Sequence, residues 1–408
     1  MKSNYKRIGD CIRLVDERNV NLNVTTLLGL SITKEFIPSV ANTIGTDFKN
    51  YKIIRKKQFA CSTMQVRRDK KMPVALLQDY DEAIISAAYP VFEVVDTEMI
   101  LPEYLMMWFS RSEFDREACF YAIGGVRGSI EWEDFCNMQL PVPSIDEQKE
   151  IINKHKILLD RIKVNNLFIQ KLEETVQTIY KQWFIDFEFP NQLGNLYKSS
   201  GGKMKFNPIL NTEIPKGWEV KSFTDVVKVG GGGTPDTTID TYWNGGIPFF
   251  TPGDVSESYY CLETEKSVSK LGLRNSSTKL YPKNTVFVTA RGTVGAIALA
   301  GTEMTMNQSC YALMGDNQYY IHQLTIATIR SLKKQASGAV FNALIVKDFA
   351  EQNVVHPPKD IENSFQDIVR GLYNAIYLKV ELNKLLSSTV KLLLSKLATT
   401  RGKNIEIL

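Results

Sequence analysis

The sequence predicts an α+β protein built as an internal repeat, with two globular domains of mixed helix and strand. A long antiparallel two-helix coiled coil separates the domains, and a pseudo-twofold axis relates the halves. Three observations carry this prediction. Asp134-Phe135 and Asp348-Phe349 begin matching passages at an offset of 214 residues. Each passage opens about forty residues of heptad-spaced apolar positions. The remaining chain mixes short β-branched or aromatic runs with Gly, Pro and Asn turns, without the sustained strand-helix alternation of a parallel sheet.

At ~150 residues per domain, 408 residues accommodate two or three domains. A composition of 44% hydrophobic and 23% charged residues excludes a largely disordered or fibrous chain. No apolar run approaches the ~18 residues of a membrane span, and MKSNYKRIGDCIRLVDERN offers no signal-peptide core. A cytoplasmic protein with no membrane partner is expected. Cys11, Cys61, Cys119, Cys136, Cys261 and Cys310 are widely spaced, and the only histidines are His155, His322 and His356. Buried thiols are expected in place of a metal site or disulfide framework.

Residues 1–143 form the first predicted globular domain, with a helix over Glu103–Glu117. Between Lys49 and Lys71 it carries nine basic residues against one acid, Asp69. The repeated passage follows: Gly124 falls on Gly338, Val126 on Val340, Ile130 on Leu344, Pro143 on Pro357 and Asp146 on Asp360. Residues 144–189 are the first long helix. Its seam is Ile151, His155, Leu158, Ile162, Asn165, Ile169, Leu172, Val176, Ile179 and Trp183. A Gly/Ser-rich linker covers 190–211. The second globular domain, 212–358, contains strand candidates Ile247–Thr251 and Thr285–Thr289. From Lys266 to Arg291 it has six basic residues and no acid.

Residues 359–408 are the second helix, with seam Phe365, Val369, Leu372, Ile376, Lys379, Asn383, Leu386, Val390, Leu393 and Leu397. Asp146 and Asp360 are placed as N-cap carboxylates, and Asn165 and Asn383 as register-fixing polar positions. Forty residues make about 60 Å of helix. An apolar stripe is ordinarily core packing; the length, spacing and repetition here favour a coiled coil.

The usual catalytic constellations are missing. Gly230–Gly233 lacks the phosphate-loop spacing, Pro235-Asp236 has no acid-x-Lys after it, and no Asn-Pro-Pro-aromatic, H-E-x-x-H or G-x-S-x-G motif occurs. Either tract of charge alone reads as a solvated face. Two in corresponding halves favour a polyanion with two contact regions. Arg67, Arg68, Lys70 and Lys71 are candidates for phosphates, and Arg127, Arg291, Asn307 and Gln308 have the fork or amide geometry for base edges. Gly232 and Thr234 belong to a turn that either exposes backbone amides to a phosphate or is a plain loop. A self-contained nuclease or methyltransferase is the rival enzyme reading; a protein-binding coiled-coil scaffold is the rival structural one.

With these features in place, the chain resembles the specificity subunit of type I DNA restriction-modification enzymes over nearly its whole length. The resemblance rests on PVPSIDEQKEI at Pro141–Ile151, IPKGWEVKSF from Ile214, GGTP at Gly232–Pro235 and IPFFTPGDV at Ile247–Val255. TARGTVG at Thr289–Gly295 and NQSC at Asn307–Cys310 complete it. It implies two target-recognition domains, each reading half of a bipartite double-stranded DNA site, and a non-catalytic chain directing adenine methylation and restriction. The partners it implies are two modification (methyltransferase) subunits docked on the helices and restriction/translocase subunits. S-adenosylmethionine, ATP and Mg would be held by those partners and not by this chain. The first domain lacks the GGTP and ARGT passages, which places it in a different recognition subclass.

Overall fold

The computed structural model describes residues 4–39, 45–124, 128–335 and 343–398. The chain forms two compact units: residues 1–162 with 385–408, and residues 163–384. Each long helix therefore contributes to both. Mixed helix and strand is observed in each unit, and no helix among the described residues is long and apolar enough to cross a membrane.

In the first unit the elements are β1 (Tyr5–Arg7), β2 (Ile12–Val15), β3 (Leu28–Leu30), β4 (Phe36–Pro38), β5 (Lys52–Arg55), β6 (Phe59–Cys61), α1 (Val66–Asp69), β7 (Val74–Leu76), β8 (Glu82–Ile85) and β9 (Val91–Val94). There follow α2 (Pro102–Phe109), α3 (Ser112–Tyr121), α4 (Trp132–Asn137), β10 (Gln139–Pro141) and α5 (Ile145–Phe184). The central sheet runs β2-β9-β6-β7, all antiparallel. Its inner face buries Phe59 and Phe92, stacked at 5.0 Å between centroids, with Phe109 and Phe135 packed against Phe92. Outward Arg13 pairs across the strands with Glu93 at 2.6 Å.

The helix predicted over Glu103–Glu117 is instead two. Ser110 Oγ donates back to the Met106 carbonyl at 2.9 Å, and Arg111 is extended (φ −75°, ψ 142°), with its guanidinium 3.9 Å from the Trp108 ring centroid. A hydroxyl competing for a helix carbonyl followed by an extended residue ends one helix and starts the next.

In the second unit β11 (Met204–Asn207) and β12 (Thr212–Pro215) form a hairpin, followed by β13 (Glu219–Ser222), α6 (Phe223–Val226), β14 (Lys228–Gly231), β15 (Trp243–Phe250), β16 (Tyr260–Cys261) and β17 (Lys266–Val268). Next come α7 (Lys270–Arg274), β18 (Val286–Thr289), β19 (Ile297–Ala300), β20 (Thr305–Met306), β21 (Cys310–Met314), α8 (Gln318–Gln335), α9 (Val346–Ala350), β22 (Asn353–His356) and α10 (Lys359–Lys396). The main sheet runs β14-β21-β18-β19-β16, with only the β16–β19 pair parallel. Cys11, Cys61, Cys261 and Cys310 are buried thiols, whereas Cys119 and Cys136 are half-buried.

The repeat is visible in the topology. Strand order β2-β9-β6-β7 matches β14-β21-β18-β19, and the pair β1–β10 matches β13–β22. Helices α4 and α5 recur 214 residues later as the starts of α9 and α10. Ile130 N donates to the Thr63 carbonyl at 3.0 Å, and Leu344 N donates to the Ala290 carbonyl at 2.9 Å, the same contact in both units. Val126, Gly338 and Val340 lie outside the described residues.

Helix α5 has 40 residues and α10 has 38. Within the second unit they run antiparallel, since Asn165 meets Asn383 while Tyr180 and Trp183 meet Phe365. All twenty predicted seam positions are buried or half-buried. In the first unit Ile151 and Leu397 join the core, with Leu393 against it.

The N-caps differ from expectation. Ser144 caps α5 in a reciprocal box with Glu147: its hydroxyl accepts from Glu147 N, and the Glu147 carboxylate accepts from Ser144 N. Asp146 and Asp360 instead lie in the first turns, where a negative charge still suits the helix dipole. Helix α5 stops at Phe184, short of 189, because Ile185 and Asp186 both donate to the Lys181 carbonyl and Phe187 takes φ +62°. The 190–211 segment is ordered: Tyr197 stacks on Phe189 at 4.5 Å, Phe189 on Trp218 at 5.0 Å, and β11 begins at Met204.

Candidate nucleic-acid interface

In the second unit, β14 and β18 end where β21 begins: Gly231 is opposite Tyr311, and Thr289 opposite Cys310. Three connecting segments, 232–235, 290–296 and 307–309, therefore emerge at one end of the sheet. The turn after β15 joins them, because Asn307 N donates to the Phe250 carbonyl at 3.0 Å. Gly233 N donates to the Met306 carbonyl at 3.1 Å, Ala290 N donates to the Ser309 carbonyl at 2.7 Å, and the Thr234 hydroxyl donates to the Gln308 side-chain oxygen. Four separate sequence passages thus form one continuous rim.

Glycine is required there for close approach. A Cβ on Gly232 would lie 2.6 Å from the Met306 oxygen and closer still to the Asn307 carbonyl, so only hydrogen fits. Gly230 and Gly231 are strand residues, and the run is a packed edge.

The rim presents Arg291, exposed and without an ion pair to any described residue. Asn307 uses its side-chain oxygen to accept from Ser309 N at 3.0 Å, and Gln308 uses its own for Thr234. Each amide NH2 is left without a described partner, a donor suited to a base edge or a phosphate. Of the tract around Arg291, Lys266, Lys270, Arg274 and Lys279 are also exposed and in no ion pair among the described residues. Lys283 lies over the Tyr377 ring at 3.3 Å and serves packing.

The first tract is arranged differently. Five of its nine cations have carboxylate partners: Lys52 with Asp16, Arg55 with Glu17 and Glu82, Lys56 with Asp81, Lys57 with Glu103, and Arg68 with Asp69. Arg68 binds the Asp69 carboxylate through both Nε (2.6 Å) and a terminal nitrogen (3.0 Å), which spends its fork. Arg67, Lys70 and Lys71 are exposed without ion pairs to described residues. Helix α1, which bears Arg67, lies between β6 and β7, topologically where 290–296 lies between β18 and β19. Gly128 packs against the Arg67 stem, while Arg127 lies outside the described residues.

Residues with no sequence motif hold these surfaces. Buried Asp115 accepts from Lys34 Nζ at 2.7 Å and from Met72 N at 3.1 Å, fixing the chain after Lys71; burial pulls the Lys34 ammonium below its usual pKa. In the second unit Glu173 on α5 accepts from Tyr259 N at 2.8 Å and Ser258 Oγ at 3.1 Å, and its burial raises its pKa. His322 Nδ1 lies 2.7 Å from Tyr373 Oη on α10, and Gln323 donates to the same hydroxyl at 2.8 Å. Full burial depresses His322 to about 3, so it is neutral near pH 7. The weak sequence signal for this network is the cluster of Tyr, His and Gln among otherwise apolar positions.

Residues 215–392 match the family model for the type I restriction modification DNA specificity domain. The chain is 23% identical over 374 residues to the HindI specificity subunit of Haemophilus influenzae, covering 78% of this chain and 81% of that protein. The chain is thus similar to type I restriction-modification specificity subunits, and its residues 215–392 carry their DNA specificity domain. It is also 28% identical over 182 residues to the MjaIX specificity subunit of Methanocaldococcus jannaschii, a match spanning 43% of this chain and only 42% of that relative. The crystal structure of a type I restriction-modification S subunit from M. genitalium has the same fold, with a TM-score of 0.52 at 12% identity, over 97% of this chain and 95% of that one. The matched specificity domain contains all four rim segments of the second unit.

Proposed function

We propose that this chain is a type I restriction-modification specificity subunit that reads a bipartite double-stranded DNA site, one half with the rim at Gly232, Thr234, Arg291, Asn307 and Gln308, the other with the segment at Arg67, Lys70 and Lys71. The observation that carries this reading is the convergence of four loop segments on one sheet end, bearing a guanidinium, two amide NH2 groups and nearby lysines that have no partner among the described residues. The two long helices act as a coiled-coil spacer between the readers. Their off-seam exposed residues, among them Ile157, Val164, Leu167, Leu378, Leu385 and Leu392, suit docking of two modification subunits. Methyl transfer and cleavage belong to those partners and to a restriction/translocase subunit, which hold S-adenosylmethionine, ATP and Mg.

The test is to co-express the chain with a modification subunit and map methylated adenines. A motif of two defined halves around a non-specific spacer is expected. Arg291→Ala should relax one half only, by ~1–3 kcal/mol for a lost bidentate contact, and Asn307→Ala should relax the same half by less, because only its NH2 is free to contact DNA. A contiguous motif, relaxation of both halves together, or methylation by the chain without partners would overturn the reading.

A further inference from the structure

A cavity of about 620 Å³ in the first unit lies between the β3–β4 turn, the chain after α1, the α2–α3 junction and the last turns of α10. Its walls hold four cations, Lys34, Lys71, Arg111 and Lys391, against two carboxylates, Glu113 and Asp115. Asp115 is consumed by Lys34 and the Met72 amide. Glu113 faces Arg116 and Ser112, each at 3.4 Å.

Arg111 decides the reading. Its side chain is only 4% exposed, and among the described residues its Nε has no hydrogen-bond partner and its ion-pair carboxylate, on Glu113, stands 3.8 Å away. The Trp108 ring stacks one face of the guanidinium but accepts none of its N–H groups in the plane. A buried guanidinium with an unpartnered Nε beside a cavity is a costly arrangement unless something anionic completes it. Lys71 and Lys391 are exposed and in no ion pair with a described residue, so they add charge without competing carboxylates.

We infer that this cavity is an oxyanion site that takes a phosphate group. A phosphate matches it because the planar fork of Arg111 engages two oxygens while leaving others for Lys71 and Lys391. The inference goes beyond the reading of DNA and does not depend on it. The phosphate has two available sources, a free anion or the backbone of a duplex.

The test uses the full chain and inorganic phosphate. Its thermal midpoint is followed as phosphate is titrated, against chloride at matched ionic strength. A saturable rise with phosphate alone is expected. Arg111→Met should weaken the apparent affinity by about tenfold or more, the scale of one charge-assisted hydrogen bond. Should Arg111→Met not fold, Lys391→Ala on the exposed face of α10 gives the second measurement and should weaken it several-fold. A response identical for phosphate and chloride, or one unchanged in the folded variants, overturns the site. Duplex binding by the same variants then identifies the source: a loss comparable to that for phosphate assigns the backbone, and unchanged binding assigns a free anion.

Discussion

The polar layer inside the paired helices gives a quantitative test of how α5 and α10 are held in register. Asn165 is 1% exposed, donates to Asn383 Oδ1 at 2.8 Å and accepts from Lys379 Nζ at 3.3 Å; Asn383 in turn donates to Asn166 at 2.6 Å. Replacing Asn165 by Leu strands the Asn383 oxygen and the Lys379 ammonium. A stranded buried polar group costs ~1–3 kcal/mol, while burying a leucine side chain returns ~1.5–3 kcal/mol against apolar neighbours and less against an amide. The single variant should therefore lose roughly 1 kcal/mol.

Changing both asparagines removes the stranded Asn383 oxygen while leaving Lys379 without Asn165, so the double variant should be more stable than the two single effects predict by ~1–3 kcal/mol. Amide hydrogen exchange of peptides from 163–176 and 372–384 reads this locally, a better choice than a global melt for a chain of two units. Protection should fall about fivefold in Asn165→Leu and recover in part in Asn165→Leu/Asn383→Leu. A coupling within ~0.5 kcal/mol of zero would show that the two amides do not depend on each other, and the register argument would fail.

Other expectations follow from single contacts. Gly232→Ala drives a methyl group into the Asn307 and Met306 carbonyls, so urea unfolding should show a loss of ~1–3 kcal/mol, with binding to one half-site impaired; unchanged stability would mean the rim yields freely. Arg67→Ala, Lys70→Ala and Lys71→Ala should each flatten the salt dependence of duplex binding by up to ~0.9 in log-log slope. Arg68→Ala should leave that slope nearly unchanged, because its fork is spent on Asp69. His322 is depressed to about 3 in the folded chain against an ordinary 6.5, so its contribution is present above pH 6.5 and lost as pH falls toward 3. Over that window His322→Asn should reduce the pH slope of stability by about 1.4 kcal/mol per unit, and parallel acid curves would contradict it.

The helices and the repeat were legible because both are periodic. Heptad spacing marks the buried face directly, and every seam position from Ile151 to Trp183 and from Phe365 to Leu397 is at least half-buried. Local competition was not legible. Ser144 displaced Asp146 as the cap of α5 because the Ser144–Glu147 box satisfies two amides together. Ser110 and Arg111 likewise broke a stretch whose apolar pattern alone favoured one helix. The rim of the second unit was readable as separate passages, but their convergence depends on strand order, which no local pattern reports. Charge counting gave the least, since the partners of Arg55 come from Glu17 and Glu82, far away in sequence.

That last point separates the two halves of the molecule. Both place a connection between equivalent strands at the same sheet end, β6 to β7 and β18 to β19, and both pin it with the same backbone bond from Ile130 or Leu344. The second unit fills this position with Arg291 beside Gly292, a short loop locked to its neighbours. The first fills it with a single helical turn flanked by left-handed Gln65 and Lys70 and anchored through Met72 to buried Asp115. Asp115→Asn would keep an oxygen for Met72 but remove the charge that compensates Lys34, so it should loosen the Arg67–Lys71 segment while leaving the second rim intact. Non-specific affinity, which rests on unpaired cations, would then fall, with half-site discrimination by Arg291, Asn307 and Gln308 unchanged. Loss of discrimination at the second half-site in that variant would show that the repeated scaffold couples the two readers and does not merely present them.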